Sequence, residues 1–247
     1  MARQRLQKVL AATGVDSRRN CEQLILSGLV RVNRKVVNKL PAFVDPDQDV
    51  ITVDGKEIRP PRKVYYLLNK PKAVVCTSSD PQGRTRAIDL VPARERISCV
   101  GRLDIDTTGL ILLTNDSELA NRLMHPRYKL ARTYVARVKG QIGKEAVERL
   151  KRGIWLAEGK ASAAAVAILR RGPAESLVEI TVRQGLNRQI RRMLAKVGLP
   201  TKSLKRTKIG HLTSRGLGIG KFRALTEAEV TGLKRPLSAN RPMPNNR

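Results

Sequence analysis

Residues Val100 to Asp116 constrain this chain more than any other stretch. Val100-Gly101-Arg102-Leu103-Asp104-Ile105-Asp106-Thr107-Thr108-Gly109-Leu110 runs straight into Ile111-Leu112-Leu113-Thr114-Asn115-Asp116. The short apolar run from Leu110 to Thr114 predicts a buried strand, and two carboxylates and an arginine stand at its mouth. The surroundings are cationic: 49 Lys and Arg against 21 Asp and Glu give a net charge of +28. An acid in that setting repels a polyanionic ligand, so a carboxylate there points to chemistry rather than contact. Against this stands the plainer reading of Asp-Thr-Thr-Gly as an ordinary turn, with short polar side chains and a permissive Gly109.

The charge and a pI near 11.1 make nucleic acid the expected partner, since each neutralised phosphate releases counterions. An apolar content of 41% over 247 residues supports one large or two modest folded domains. No apolar run approaches the roughly 20 residues of a spanning helix. The opening Met1-Ala2-Arg3-Gln4-Arg5 lacks a secretory segment, so a cytoplasmic protein is expected. Cys21, Cys76 and Cys99 are scattered, which suggests neither a disulfide framework nor a Cys-x-x-Cys site. His125 and His211 are the only histidines, so no metal site and no Ser-His-Asp triad is expected. With 3% aromatics, stacking of RNA on an aromatic sheet is disfavoured.

Leu6, Val9 and Leu10 at helical spacing stop at Gly14, and Ser17 can cap a second helix carrying Cys21, Leu24 and Ile25. Val30, Val32 and Val36 then alternate around Asn33-Arg34 as a hairpin would. Arg34 in place of the glycine that such a turn favours predicts a turn of another type. Arg18 and Arg19 fall in the first turn of the second helix, where they read either as solvated charge or as RNA contacts. This helix-helix-hairpin unit resembles the S4-type RNA-binding domain. Residues 1–59 are assigned to it, and the Pro-rich residues 60–63 to a linker. Residues 236–247, with Pro242 and Pro244 among Asn and Arg, are expected to be disordered.

In residues 64–235 strands mix with helices without strict alternation, which predicts an α+β fold. Tyr65 to Asn69 and Val74 to Thr77 read as strands, as do Leu110 to Thr114, Arg132 to Lys139, Val166 to Leu169 and Leu177 to Val182. Ser117 to Met124 and Lys144 to Lys151 read as helices. Asn187 can cap a further helix from Arg188 to Val197, on which Arg188, Arg191 and Arg192 share one stripe. From Ile180 to Thr226 no acidic residue occurs, so this half carries unopposed positive charge.

Gly-Arg-Leu-Asp, followed by Thr-x-Gly-Leu and an apolar strand, resembles the signature of ribosomal RNA pseudouridine synthases of the RsuA and RluB group. Asn187-Arg188-Gln189-Ile190-Arg191-Arg192-Met193 resembles their third motif, Arg132-Thr133-Tyr134-Val135 the segment of their active-site tyrosine, and Leu68-Asn69-Lys70-Pro71 the start of their catalytic domain. Ala73 stands where glycine is common. The resemblance implies a mixed-sheet catalytic domain with a central cleft, no cofactor and no metal. It implies Asp104 as the catalytic aspartate, with Asp106 as a competitor read as capping the amides of Thr108 or Gly109. Arg191 would pair with Asp104. Tyr134 would stack on the flipped base or assist a proton transfer, and Arg102 would meet a phosphate or hold the nucleotide, with Arg188 and Arg192 as further phosphate contacts.

The activity implied is isomerisation of a uridine in ribosomal RNA or a pre-ribosomal particle, by base flipping and cleavage of the glycosidic bond. Whether Asp104 attacks as a nucleophile or removes a ribose proton stays open. The neighbourhood of Gly153-Ile154-Trp155-Leu156 looks more like the large-subunit (23S) type than the small-subunit (16S) type, and a monomer with no membrane association is expected. The rival readings are a non-catalytic RNA-binding assembly protein and an S4-containing RNA methyltransferase. The second is disfavoured because no Gly-x-Gly-x-x-Gly follows a strand.

Overall fold

The protein is described from a computed structural model covering residues 3–59 and 61–235. The expected disordered tail and Pro60 of the linker lie outside the described residues. The chain divides into two compact units, the first running to Val64 and also taking in Ala93–Arg96 and Asn115–Ser117. Among the described residues no helix is long and apolar enough to cross a membrane.

In the first unit β1 (Gln4–Arg5) leads into α1 (Leu6–Ala12) and α2 (Arg18–Leu26). Ser17 caps α2 as its sequence position predicts, its Oγ accepting from the amide of Asn20 at 3.1 Å. Then follow β2 (Val30–Val32), β3 (Lys35–Val36), β4 (Phe43–Val44), β5 (Ile51–Val53) and β6 (Lys56–Glu57). Strands β3-β2-β5-β6 form one sheet, and β1 pairs with β4. Leu6, Leu10, Cys21, Ile25 and Val30 are fully buried between helices and sheet. The Asn33-Arg34 turn corrects one expectation. Both residues have positive φ, 49° and 68°, as a type I′ turn requires. The Asn33 side chain holds this geometry in place of a glycine, donating to Asp49 Oδ1 at 2.8 Å and accepting from the amide of Val50 at 3.0 Å.

The second unit contains β7 (Tyr65–Lys70), β8 (Ser98–Cys99), β9 (Thr108–Thr114), all but the first residue of α3 (Ser117–Met124), β10 (Arg132–Lys139), α4 (Lys144–Arg152), β11 (Ile154–Leu156) and β12 (Gly159–Ala161). It continues with β13 (Ala165–Arg170), β14 (Glu175–Val182), α5 (Gln189–Lys196), β15 (Thr201–Ile209), β16 (Leu212–Thr213), β17 (Phe222–Ala224) and α6 (Glu227–Lys234). One mixed sheet runs β13-β14-β10-β15-β9-β7-β17. Strand β14 alternates buried and half-buried residues along its whole length, the pattern of a strand with one face on a core. Strand β9 is buried on both faces from Gly109 to Thr114, so it reads as an uninterrupted apolar run.

Near the middle of the sheet β15 pairs with β9 in parallel, Lys205 beside Thr108 and Arg206 beside Gly109, while the flanking pairs β10–β15 and β7–β9 are antiparallel. Gly109 is required there. Its φ is +104°, and a β-carbon on it would lie 2.2 Å from the carbonyl oxygen of Arg206. Two apolar clusters pack on either side of this junction. One joins Ala136, Val178, Ile190 and Leu194; the other joins Leu67, Leu110, Leu112, Leu119 and Leu233.

The expected strand at Val74 to Thr77 is absent. After Lys70-Pro71 the chain turns through Ala73, at φ +63°, and makes only an isolated bridge between Val75 and Arg86. The helix expected from Arg188 starts at Gln189, and its N-cap is Arg188, not Asn187, in the left-handed region at φ 45°.

Candidate active site

The turn ahead of β9 carries the two carboxylates. Thr107 donates its amide to the Asp104 carbonyl at 3.0 Å, and Ala73 donates its amide to the Ile105 carbonyl at 2.9 Å. The amide of Leu103 reaches Cys76 Sγ at 3.5 Å. The turn is therefore tied to the segment that follows β7. That segment is itself held from inside by Lys70, which is fully buried. Its Nζ donates to the carbonyls of Pro71 at 2.9 Å and Val74 at 2.8 Å. Burial pushes the Lys70 ammonium below the usual lysine range, against the opposing pull of Cys76, Asp106 and Asp104. The Cys76 thiol is pulled below the usual thiol range, first by its hydrogen bond with Cys99, whose own thiol is pushed up in turn.

Helix α5 faces the turn from the other side. Arg188 Nη1 lies 3.2 Å from Asp104 Oδ2 and 3.6 Å from Asp106 Oδ1. Arg191 Nη2 lies 2.9 Å from Asp106 Oδ2, and its Nε 3.9 Å from Asp104 Oδ2. Arg191 also donates to Thr107 Oγ1 at 3.3 Å. Asp106 thus faces arginines and does not serve as the amide cap expected of it. Arg192 points elsewhere, gripping Glu158 with bonds of 2.8 and 2.7 Å and donating to the Asn187 carbonyl.

Asp104 opens onto a cavity of about 440 Å³, also lined by Arg102, Arg132, Tyr134, Arg188 and Arg206. Of the residues singled out from sequence, Asp104, Tyr134, Arg102 and Arg188 meet at this cavity, and Arg191 stands just behind Asp104. Arg18 and Arg19 belong to the other unit, exposed on the first turn of α2. Two buried cations escaped the sequence reading, Lys70 and Arg206. The signal for Lys70 was a charged residue closing an apolar strand. Arg206 sits in a strand rich in Lys and Arg, so nothing in its local pattern marked it. Among the described residues no group of His, Cys, Asp or Glu stands together to hold a metal.

A mixed sheet with a cationic cleft around one half-exposed carboxylate, in a chain that also carries a small helix-hairpin unit, defines an enzyme that acts on RNA. The sequence profile described as RNA pseudouridylate synthase matches residues 64–196, and that of the S4 domain matches residues 4–50. A curated relative, ribosomal large subunit pseudouridine synthase B of Bacillus subtilis (strain 168), is 44% identical over 236 residues, spanning 94% of this chain and 96% of the relative. A protein of the same name in Pseudomonas aeruginosa is 42% identical over 92% of this chain and 61% of its own length. A solved structure titled as a pseudouridylate synthase superposes with a TM-score of 0.67 at 27% identity, covering 93% of this chain and 99% of that one. The chain belongs to the RNA pseudouridylate synthase family and carries an S4 domain. The assembly-protein and methyltransferase readings are thereby set aside.

Proposed function

We propose that the protein isomerises a uridine of large-subunit ribosomal RNA to pseudouridine, with Asp104 as the catalytic group. The observation that carries this reading is the opening of the Asp104 carboxylate onto the cavity that Tyr134 and Arg206 also line. Its volume of about 440 Å³ falls in the ~300–1,000 Å³ range of small-ligand sites. The large-subunit target is supported by the names of the relatives in Bacillus subtilis and Pseudomonas aeruginosa.

The target uridine leaves its stack, at a cost the cationic cleft must offset. Asp104 acts at the ribose or the base, the N1–C1′ bond breaks, and the uracil turns and rejoins through C5. The C5 proton then leaves and N1 takes one up, so the product is an isomer of the substrate. Arg188 and Arg191 hold the acid-bearing turn in place. Half-buried Tyr134 offers its ring to the flipped base, and exposed Arg102 is suited to a flanking phosphate. Residues 1–59 serve as the RNA-anchoring S4 domain and residues 64–235 as the catalytic domain, joined by the linker at 60–63. The enzyme works in the cytoplasm, where ribosomes are made, and acts as a monomer.

Mapping pseudouridines in ribosomal RNA from cells with and without the gene tests activity and target together. One large-subunit position should lose its pseudouridine in the deletion strain. An unchanged map, or a loss confined to small-subunit RNA, overturns the reading.

A further inference from the structure

Arg206 is 3% exposed and enters no ion pair among the described residues. Its Nε donates to the Leu110 carbonyl at 2.6 Å and its Nη1 to the Tyr134 hydroxyl at 3.4 Å, but its buried Nη2 has no hydrogen-bond partner among the described residues. A buried cationic donor left unmet is costly and calls for an explanation, a catalytic role being one. Its charged surroundings sharpen the point. Lys70 and Arg132 lie close enough to feel the Arg206 charge, and both are cations. Asp104 and Asp106 are engaged by Arg188 and Arg191. Around Arg206 positive charge is therefore in excess, opposed by the Cys76 thiol, which is pulled below its usual range first by its hydrogen bond with Cys99 and also by Lys70 and Arg206.

The reaction supplies an anion. When the N1–C1′ bond breaks with its electron pair on nitrogen, the detached uracil carries negative charge spread over N1 and the carbonyl oxygens O2 and O4. Resting on the reading that the target uridine occupies this cavity, we infer that Arg206 Nη2 donates a hydrogen bond to a carbonyl oxygen of the target uracil, one that strengthens as the base detaches. Arg206 is then a catalytic residue of the oxyanion-hole type, and its bonds to Leu110 and Tyr134 aim the donor in advance. Depth separates this role from phosphate binding. A flipped base is the part of a nucleotide that enters furthest, whereas exposed Arg102 and Arg188 occupy the rim, where the backbone stays.

The test is single-turnover kinetics at saturating enzyme with full-length chain and transcribed large-subunit RNA, alongside RNA-binding titrations. Arg206→Lys keeps a positive charge under Leu110 but loses the forked donor. It should lower the saturated rate about 100-fold, the cost of removing one such donor, with affinity for RNA unchanged. Transcripts carrying 2-thiouridine or 4-thiouridine place sulfur, a poor acceptor, at one oxygen or the other. With the parent enzyme one of the two should cut the saturated rate about ten-fold without loss of affinity, and Arg206→Lys should show no such sulfur effect. A saturated rate retained in Arg206→Lys, a loss of affinity alone, or a sulfur effect that persists in the variant overturns the inference. Should the variant not fold, the parent enzyme decides: insensitivity to both thio-substitutions overturns it. An inactive Asp104→Asn beside a fully active Arg206→Lys would sink this inference alone, whereas an active Asp104→Asn would sink the cavity reading beneath it.

Discussion

Asp104 and Asp106 stand two residues apart on one turn, and two arginines from α5 divide between them. The family resemblance implies a pairing of Arg191 with Asp104 and a phosphate contact for Arg188. In the structure the shorter contact to Asp104 is made by Arg188, at 3.2 Å, and Arg191 makes its shortest contact with Asp106, at 2.9 Å. The cause is local. Arg188 is the N-cap of α5 at φ 45°, a conformation that helical spacing cannot anticipate and that takes it out of the helical stripe. Arg191 is the more buried of the two, 11% exposed against 46%, and it also binds Thr107. Arg191→Gln should therefore loosen the turn and lower the saturated single-turnover rate by about 100-fold, with RNA affinity little changed. Arg188→Gln should weaken both binding and rate. If Arg191→Gln lost affinity alone, α5 would be a binding element and not a clamp on the acid.

Among the elements, those with a clean period or an unbroken apolar run were readable and those without were not. Strand β10 spans the predicted residues, α3 has the predicted bounds, and β9 and β14 differ only at their ends: α3 and β14 lay apolar residues on a core at the period of their backbone, and β9 shows as a short unbroken apolar run. Strand β15, the nine-residue partner of both β9 and β10, was missed. Its sequence Thr-Lys-Ser-Leu-Lys-Arg-Thr-Lys-Ile offers two apolar residues to the core, and its third buried position is Arg206. No local pattern announces a buried arginine. Helix α6 was also missed, although Thr226 and Glu229 form a reciprocal capping box. There Arg223 grips Glu229 with bonds of 2.8 and 2.6 Å, which first among several causes holds the Glu229 carboxyl down at about 2. A folded-state value below the unfolded one means stability present above the ordinary carboxylate range and lost as pH falls toward 2. Glu229→Gln should lower stability near neutral pH by about 1 kcal/mol, solvent screening of the part-exposed pair keeping the cost small. Urea melts across acidic pH check this: the two proteins should converge as pH falls, and a gap independent of pH would rule the ion pair out as its source.

For the molecule as a whole, the net charge of +28 pointed to nucleic acid before any fold was known. The extent of the first unit was less legible. Asn115 donates to the Arg62 carbonyl at 2.8 Å, and Lys63 lies 3.3 Å from Asp116, pairings between residues about fifty positions apart that no local pattern reveals. Arg18 and Arg19 are exposed at the start of α2, where the helix N-terminus adds its own positive potential. Replacing both with Gln should weaken RNA binding and make its salt dependence shallower by about two contacts, leaving the saturated rate unchanged. An unaltered salt slope would mean that these two charges are merely solvated.

Forming the C5–C1′ bond expels the hydrogen on C5, so release of tritium from uridine labelled at C5 reports the isomerisation itself. The parent protein should release label from large-subunit RNA with no added metal or cofactor. Asp104→Asn should bind that RNA as well as the parent or better, a negative charge having been removed from a cationic cleft, and should release label only at background. Release by the purified Asp104→Asn protein at even about a tenth of the parent rate, a barrier change far below that expected for an essential group, would contradict the assignment of Asp104.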